Sequence, residues 1–298
     1  MKHRAKLEGI FPPMTTPFTD QKLDLDMARC NIEGMNETGI RGFMPLGSNG
    51  EFRSLSDDES VELLKTYRRY MAPDKTLIAG AGRDSAYSTV EFIKRAADAG
   101  ADYVSVVTPH YFANKMTDEA LCRYYTYVAD RSPVPVMIYC VPCYAGGVVI
   151  SFDAIRILAA HENIVGMKDT TSEDIASYVN AVPAGAEYHV LAGTIKKFLY
   201  GLKVGAVGGV LSIAVYLPQL CVKLQELFQT GRMEEAEALS QRLITISKRA
   251  TDATAVAGVK AALDLTGGRG GEPRLPLLPI KPEQRDALRA VLTEEGLI

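Results

Sequence analysis

Lys168 closes a short apolar run, Ile164-Val-Gly-Met167, and Asp169, Thr170 and Thr171 follow it at once. An apolar run bounded by polar, turn-prone residues reads as a buried strand that ends in a loop. Lysine is almost never fully buried without a reason. In the ordinary case its stem packs and its ammonium reaches water. In the other case the amine is a reagent. A lysine amine is nucleophilic only when neutral, so its free pKa of about 10.4 must fall by desolvation before it acts near pH 7. A neutral lysine attacks a ketone and forms a Schiff base. The protonated imine then draws electrons, so that an adjacent carbon is deprotonated or a carbon–carbon bond is broken. That chemistry needs a proton shuttle, and a tyrosine such as Tyr139 is suitable. It also needs a seat for a substrate carboxylate. Backbone amides of the stretch Gly47-Ser48-Asn49-Gly50-Glu51 would form an anion nest. The same residues also suit a plain tight turn. They lack the Lys-Ser/Thr ending of a phosphate-binding loop.

These groups lie far apart in the chain, so regular elements must gather them. Eight apolar, β-branched runs read as strands: residues 9–18, 40–46, 76–80, 103–108, 134–141, 164–168, 188–192 and 206–212. Helical patterns separate them. Ser56-Asp-Asp-Glu59 is a capping box ahead of Val61, Leu63 and Leu64. Ser85 and Thr117 start two more helices, and Thr171-Ser-Glu-Asp174 is expected to open another. The strands are apolar almost throughout, as expected when both faces are covered. Eight such units fit a (β/α)8 TIM barrel, with a doubly wound sheet as the fallback. Residues 1–220 are assigned to the barrel. Residues 221–298 are assigned to a C-terminal helical extension, with helices expected over 222–230, 234–249, 256–265 and 283–292. In a TIM barrel, chemistry gathers where the strands end. The Gly47–Glu51 turn, Thr108-Pro-His-Tyr111, Tyr139 and Lys168 all stand at such ends.

Composition narrows the function classes. The chain has 298 residues, is 47% hydrophobic and carries a formal net charge of −3 with no long charged block. That excludes neither enzyme nor binding protein, but it gives no footprint for nucleic acid or an anionic membrane. The basic start, MKHRAKLEG, has no apolar run behind it, so no signal peptide is expected. The uncharged stretch 204–219 is too short and glycine-rich for a membrane span. Five scattered cysteines suggest reduced thiols and a cytoplasmic home. Cys140-Val-Pro-Cys143 has C-x-x-C spacing, which needs a thioredoxin-like context to imply redox work. The four histidines show no metal-ligand spacing.

Taken in order, three stretches resemble the dihydrodipicolinate synthase/N-acetylneuraminate lyase family of class I aldolases. They are Gly47-Ser-Asn-Gly-Glu51, Tyr139-x-Val-Pro142 with Gly146, and Gly166-Met-Lys-Asp169. The resemblance runs over essentially the whole chain. It implies Lys168 as the Schiff-base lysine, Tyr139 as the proton shuttle and Ser48 in the relay. It implies that Ser48 and Asn49 hold a pyruvyl carboxylate through backbone amides. Gly47, Tyr144, Gly193 and Leu211 complete the expected substrate-binding set. Tyr111 matches the family tyrosine that reaches a neighbouring subunit's site, and a homotetramer built as a dimer of dimers is implied. The substrate would be pyruvate or another 2-keto acid, with no cofactor and no metal. The sequence departs from the pattern in three places. Tyr144 stands where dihydrodipicolinate synthases carry an arginine, Cys140 replaces an asparagine, and His110 replaces a tyrosine. The Gly47-Ser-Asn-Gly-Glu51 form, the Ser132-Pro-Val-Pro135 and Val141-Pro142 stretches around Tyr139, and Ala206-Val-Gly-Gly-Val210 look most like 4-hydroxy-2-oxoglutarate aldolases of this family. Dihydrodipicolinate synthase is the alternative, then a sialic acid lyase or keto-sugar-acid dehydratase. A non-catalytic keto-acid-binding protein on the same barrel is the reading from another class.

Overall fold

The computed structural model describes residues 3–298. Eight parallel strands follow one another around a single sheet: β1 Gly9–Phe11, β2 Gly42–Phe43, β3 Thr76–Gly80, β4 Tyr103–Val107, β5 Val136–Cys140, β6 Ile164–Asp169, β7 His189–Ala192 and β8 Gly208–Val210. β1 pairs with β8, with Gly9 beside Gly208. The other seam closes through backbone bonds from Arg41 N to Ile10 O and from Met44 N to Pro12 O. The eight-stranded barrel expected from the sequence is therefore present, with helices outside it and further helices after the last strand.

Three strands are shorter than their apolar runs by four residues or more. The first stops at Phe11 because Pro12, Pro13 and Pro17 have no N–H to give a ladder. Phe18–Thr19 instead pairs antiparallel with Lys22–Leu23 in a small hairpin. The second keeps two residues, since Pro45 and a left-handed Leu46, with φ of 61°, turn the chain away. The eighth keeps Gly208–Val210 out of the run 206–212.

The helices start where their caps allow. The Ser56–Glu59 capping box forms and opens the helix Asp57–Tyr70. Ser85 and Thr117 cap Ala86–Asp98 and Asp118–Arg131 by accepting from the amides of Ser88 and Ala120. The helix expected from Thr171 begins later, at Ile175, with Asp174 as its cap. Thr171 is diverted, because its amide and hydroxyl both donate to Asp169 Oδ1. After β8 come the helices Pro218–Gln229, Met233–Ala250, Ala255–Leu265 and Pro282–Glu294. No helix among the described residues is long and apolar enough to cross a membrane.

Side chains fill the barrel in layers. Phe11, Met44, Ile78, Tyr103, Met137, Val165, Leu191 and Val210 plug its interior. A small cluster of Val107, Tyr139, Val141 and Ala145 lies apart from that plug. The large core lies between strands and helices. β6 carries one irregularity that matters. Ile164 sits opposite Val136 and Gly166 opposite Met137, so Val165 is an extra residue on β6. Strict alternation would put residues 165 and 168 on opposite faces. The extra residue lets Val165 fill the interior while Lys168, three positions on, also faces inward.

Candidate active site

Lys168 is one residue from the end of β6 and is only 5% exposed. Its Nζ lies 4.1 Å from the centre of the Tyr139 ring, carried on the neighbouring strand β5 and paired in register with it. No carboxylate pairs with this amine among the described residues. Asp169, next in sequence, points the other way and binds Lys197 Nζ at 2.6 Å on the helix Ile195–Lys203. Burial dominates the titration of Lys168 and pulls its pKa down to about 7. The amine is therefore substantially neutral at physiological pH, the condition under which a lysine is nucleophilic.

The same burial has a measurable consequence for stability. The folded pKa of Lys168 lies below that of the unfolded chain, so between about 7 and 10.5 the unfolded chain binds the extra proton. This group thus costs stability at pH 7 and the cost shrinks as pH rises. Lys168→Met removes the titration. Its stability advantage over the parent should shrink by ~1.4 kcal/mol per pH unit from pH 7 to pH 9. Parallel urea unfolding of both proteins measures this, and an advantage independent of pH would refute it.

Tyr139 is itself buried, and burial pushes its pKa up to about 12 while its hydrogen bond with Ser48 opposes the shift. Its hydroxyl lies 3.3 Å from Ser48 Oγ. A phenol held protonated, with its hydroxyl beside a serine hydroxyl and an amine over its ring, is placed to act as a proton donor.

Ser48 and Asn49 sit in the turn after β2. Two of the five non-glycine left-handed residues among those described bracket it, Leu46 and Glu51, with φ of 61° and 53°. Such strain persists only where the surroundings over-determine it. They do so here. Gly80 N donates to Pro45 O, and Thr16 Oγ1 donates to Gly50 O at 2.7 Å. Gly80 must be glycine, because a Cβ there would lie 1.8 Å from Leu46 O. In this turn the amides of Ser48 and Asn49 donate to no protein acceptor among the described residues. Of the two sequence readings, tight turn or anion nest, the free amides favour the nest. Asn49 Nδ2 reaches Ser212 Oγ after β8, at 3.1 Å.

A cavity of about 170 Å³ joins these groups, with Ser48, Asn49, Tyr139, Tyr144, Lys168 and Gly193 on its wall. Gly47 precedes this wall in the same turn. Gly193 is held by its amide to Asp169 O at 2.7 Å. Leu211 does not line the cavity: its side chain is buried in the large core, and Ser212 beside it takes that place. Tyr111 is also away from the cavity, 78% exposed with its ring against Phe112. Tyr144 is 56% exposed and stands between this cavity and an adjoining apolar one of about 560 Å³. The sequence reading missed the far wall. Ser247, on the helix Met233–Ala250, and Thr251 and Asp252, in the turn after it, bring hydroxyls and a carboxylate, and Ala255 opens the next helix beside them. Their signal is indistinct, since polar residues on a helix ordinarily mark a solvated face.

The cysteines are all unpaired. Cys140 Sγ is buried and accepts from Ile150 N, and burial pushes its pKa up to about 11. A thiol so held is a poor thiolate. No group of three or more His, Cys, Asp or Glu among the described residues is arranged to hold a metal ion.

Comparison with known proteins places the geometry in context. Residues 6–295 match the model of the dihydrodipicolinate synthetase family. A 4-hydroxy-tetrahydrodipicolinate synthase of Methanothrix thermoacetophila is 33% identical over 288 residues, 96% of each chain. An Emericella nidulans protein that bears the name of a mitochondrial 4-hydroxy-2-oxoglutarate aldolase is 32% identical over 304 residues, 99% of this chain and 96% of that one. A prophage protein of E. coli K12, solved in complex with pyruvate, superposes with a TM-score of 0.91 at 27% identity, covering 98% of this chain and 99% of that one.

Proposed function

The chain belongs to the dihydrodipicolinate synthetase family and is a lyase of the aldolase type, and on that premise we propose its chemistry in detail. Lys168 forms a Schiff base with the keto group of pyruvate or a related 2-keto acid. A carbon–carbon bond is then made or broken beside the imine. The observation that carries this reading is a buried lysine with no carboxylate partner, its pKa drawn down to about 7 and its Nζ 4.1 Å from the Tyr139 ring. The free amides of Ser48 and Asn49, in the turn begun by Gly47, receive the substrate carboxylate. Tyr139 and the Ser48 hydroxyl pass the proton, and Gly193 keeps the wall thin beside the imine. The E. coli relative solved with pyruvate supports the substrate class. Borohydride reduction in the presence of pyruvate tests the reading. One pyruvyl adduct per chain, on Lys168, is expected, and no adduct overturns it.

The rest of the reading is built on the same fold. The second substrate is a small or hydroxyl-bearing aldehyde, as in 4-hydroxy-2-oxoglutarate cleavage. Among the described residues, Lys168 is the sole lysine or arginine on the cavity wall. Arg53, in the adjoining cavity, is occupied by Asp84 through both terminal nitrogens. Tyr111, exposed beside Phe112, is available to enter a neighbouring copy's site, and we assign a homotetramer. Five unpaired cysteines favour a cytoplasmic home.

Tyr144 supplies the test of the second substrate. An arginine there would form a bidentate pair with a carboxylate. A tyrosine offers one neutral donor. A charged hydrogen bond contributes about 1.5–3 kcal/mol against about 1 for a neutral one, so roughly tenfold in affinity is at stake. The protein should release pyruvate from a hydroxy-keto acid and condense pyruvate with aspartate semialdehyde weakly. Tyr144→Arg should raise that condensation about tenfold. A coupled reductase assay on both proteins decides it. Efficient condensation by the parent would promote the alternative, dihydrodipicolinate synthase, which the Methanothrix relative's name favours.

A further inference from the structure

Behind the Ser48–Asn49 turn lies a charge pair that the proposed chemistry does not use. Glu51 ends the turn and Lys260 sits on the helix Ala255–Leu265, and their side chains are 0% and 1% exposed. Lys260 Nζ meets Glu51 Oε1 at 2.6 Å and donates to Glu272 O at 2.8 Å. The second carboxylate oxygen of Glu51 accepts from Arg274 N at 2.8 Å. Arg274 in turn donates to Ser54 O and binds Glu59. Phe18 is flanked by both cations, Lys260 at 4.6 Å and Arg274 at 4.2 Å from its ring centre.

A buried ion pair is not in itself a gain in stability, because desolvation offsets the attraction. Its position is more informative. Ala255, which opens the Lys260 helix, is left-handed with φ of 45°, and it lines the site cavity together with Val259. Glu51 is left-handed as well. The ion pair thus joins the turn whose Ser48 and Asn49 line the cavity to the helix whose Ala255 and Val259 line it as well. We infer that Glu51 and Lys260 are positioning residues that clamp the C-terminal helix to the turn and so set where the Ser48 and Asn49 amides stand relative to Lys168. This rests on the lyase reading above. The carboxylate contact made by those amides is the same in bound substrate and transition state. Loosening the clamp therefore raises the pyruvate concentration needed for half-saturation more than it lowers the maximal rate.

The test uses Glu51→Gln, Lys260→Met and the double variant, each assayed by borohydride trapping across pyruvate concentrations and by thermal melting. Each single variant leaves a charge buried alone and should melt lower. The double variant removes both charges and should recover most of the melting temperature. Its half-saturating pyruvate should nevertheless stay about tenfold above the parent's, the loss of roughly one charge-assisted hydrogen bond. A pair that serves only folding would return parental half-saturation in the double variant, and that result overturns the inference. Should the double variant fail to fold, Lys260→Arg keeps the charge and alters the geometry. Raised half-saturation there supports the clamp and parental half-saturation overturns it. If the parent itself traps no pyruvate, the lyase reading falls and takes the inference with it. If the parent traps pyruvate and only the variants' shift is missing, the inference falls alone.

Discussion

Lys168→Arg should abolish pyruvate trapping and turnover while leaving the barrel folded. The extra residue of β6 aims Lys168 into the cavity. There burial draws the amine's pKa to about 7. Arginine keeps a long stem and a cation that can lie over the Tyr139 ring, but its guanidinium cannot be deprotonated in proteins. The nucleophile is therefore removed with little change in shape. Loss of a covalent nucleophile costs roughly 10⁴–10⁶-fold in other enzymes, and a fall of that order is expected here. Mass measurement after borohydride and pyruvate reads the outcome, with circular dichroism to verify the fold. A pyruvyl adduct on the variant would mean that another amine does the chemistry.

How far the sequence could be read depended on how local each signal was. The apolar run into Lys168 and the Ser56–Glu59 capping box are complete within a few residues, and both appear as expected. The length of β1 was misread because apolar content outweighed three prolines whose missing N–H groups end the ladder. The inward aim of Lys168 was not legible at all, since it depends on an extra residue seen only against β5. Asp169 was also ambiguous in sequence. Only the fold shows that it turns outward to Lys197 and leaves the amine uncompensated. The Glu51–Lys260 pair was hidden for a different reason. Each residue alone is an ordinary charged side chain, and only tertiary packing brings the turn and the C-terminal helix together. Leu211 and Ser212 show the same limit at the end of β8: the Leu211 side chain belongs to the core while Ser212 faces the cavity, and only the fold separates the two.

Tyr139→Phe should leave the Schiff base able to form but slow every step that moves a proton. The ring that lies 4.1 Å from Lys168 Nζ is kept, so the amine's apolar surroundings and its lowered pKa persist. What disappears is one hydroxyl, 3.3 Å from Ser48 Oγ and held protonated up to about 12. Turnover should fall about 10²–10⁴-fold, the usual contribution of a positioned acid–base group. The pyruvate concentration that half-saturates borohydride trapping should change far less, since the amides of Ser48 and Asn49 are untouched. The two readouts separate shuttle from scaffold. If trapping and turnover fall together, Tyr139 is needed to shape the site rather than to carry the proton. If turnover matches the parent, the proton travels by another route, and Ser48 becomes the group to replace next.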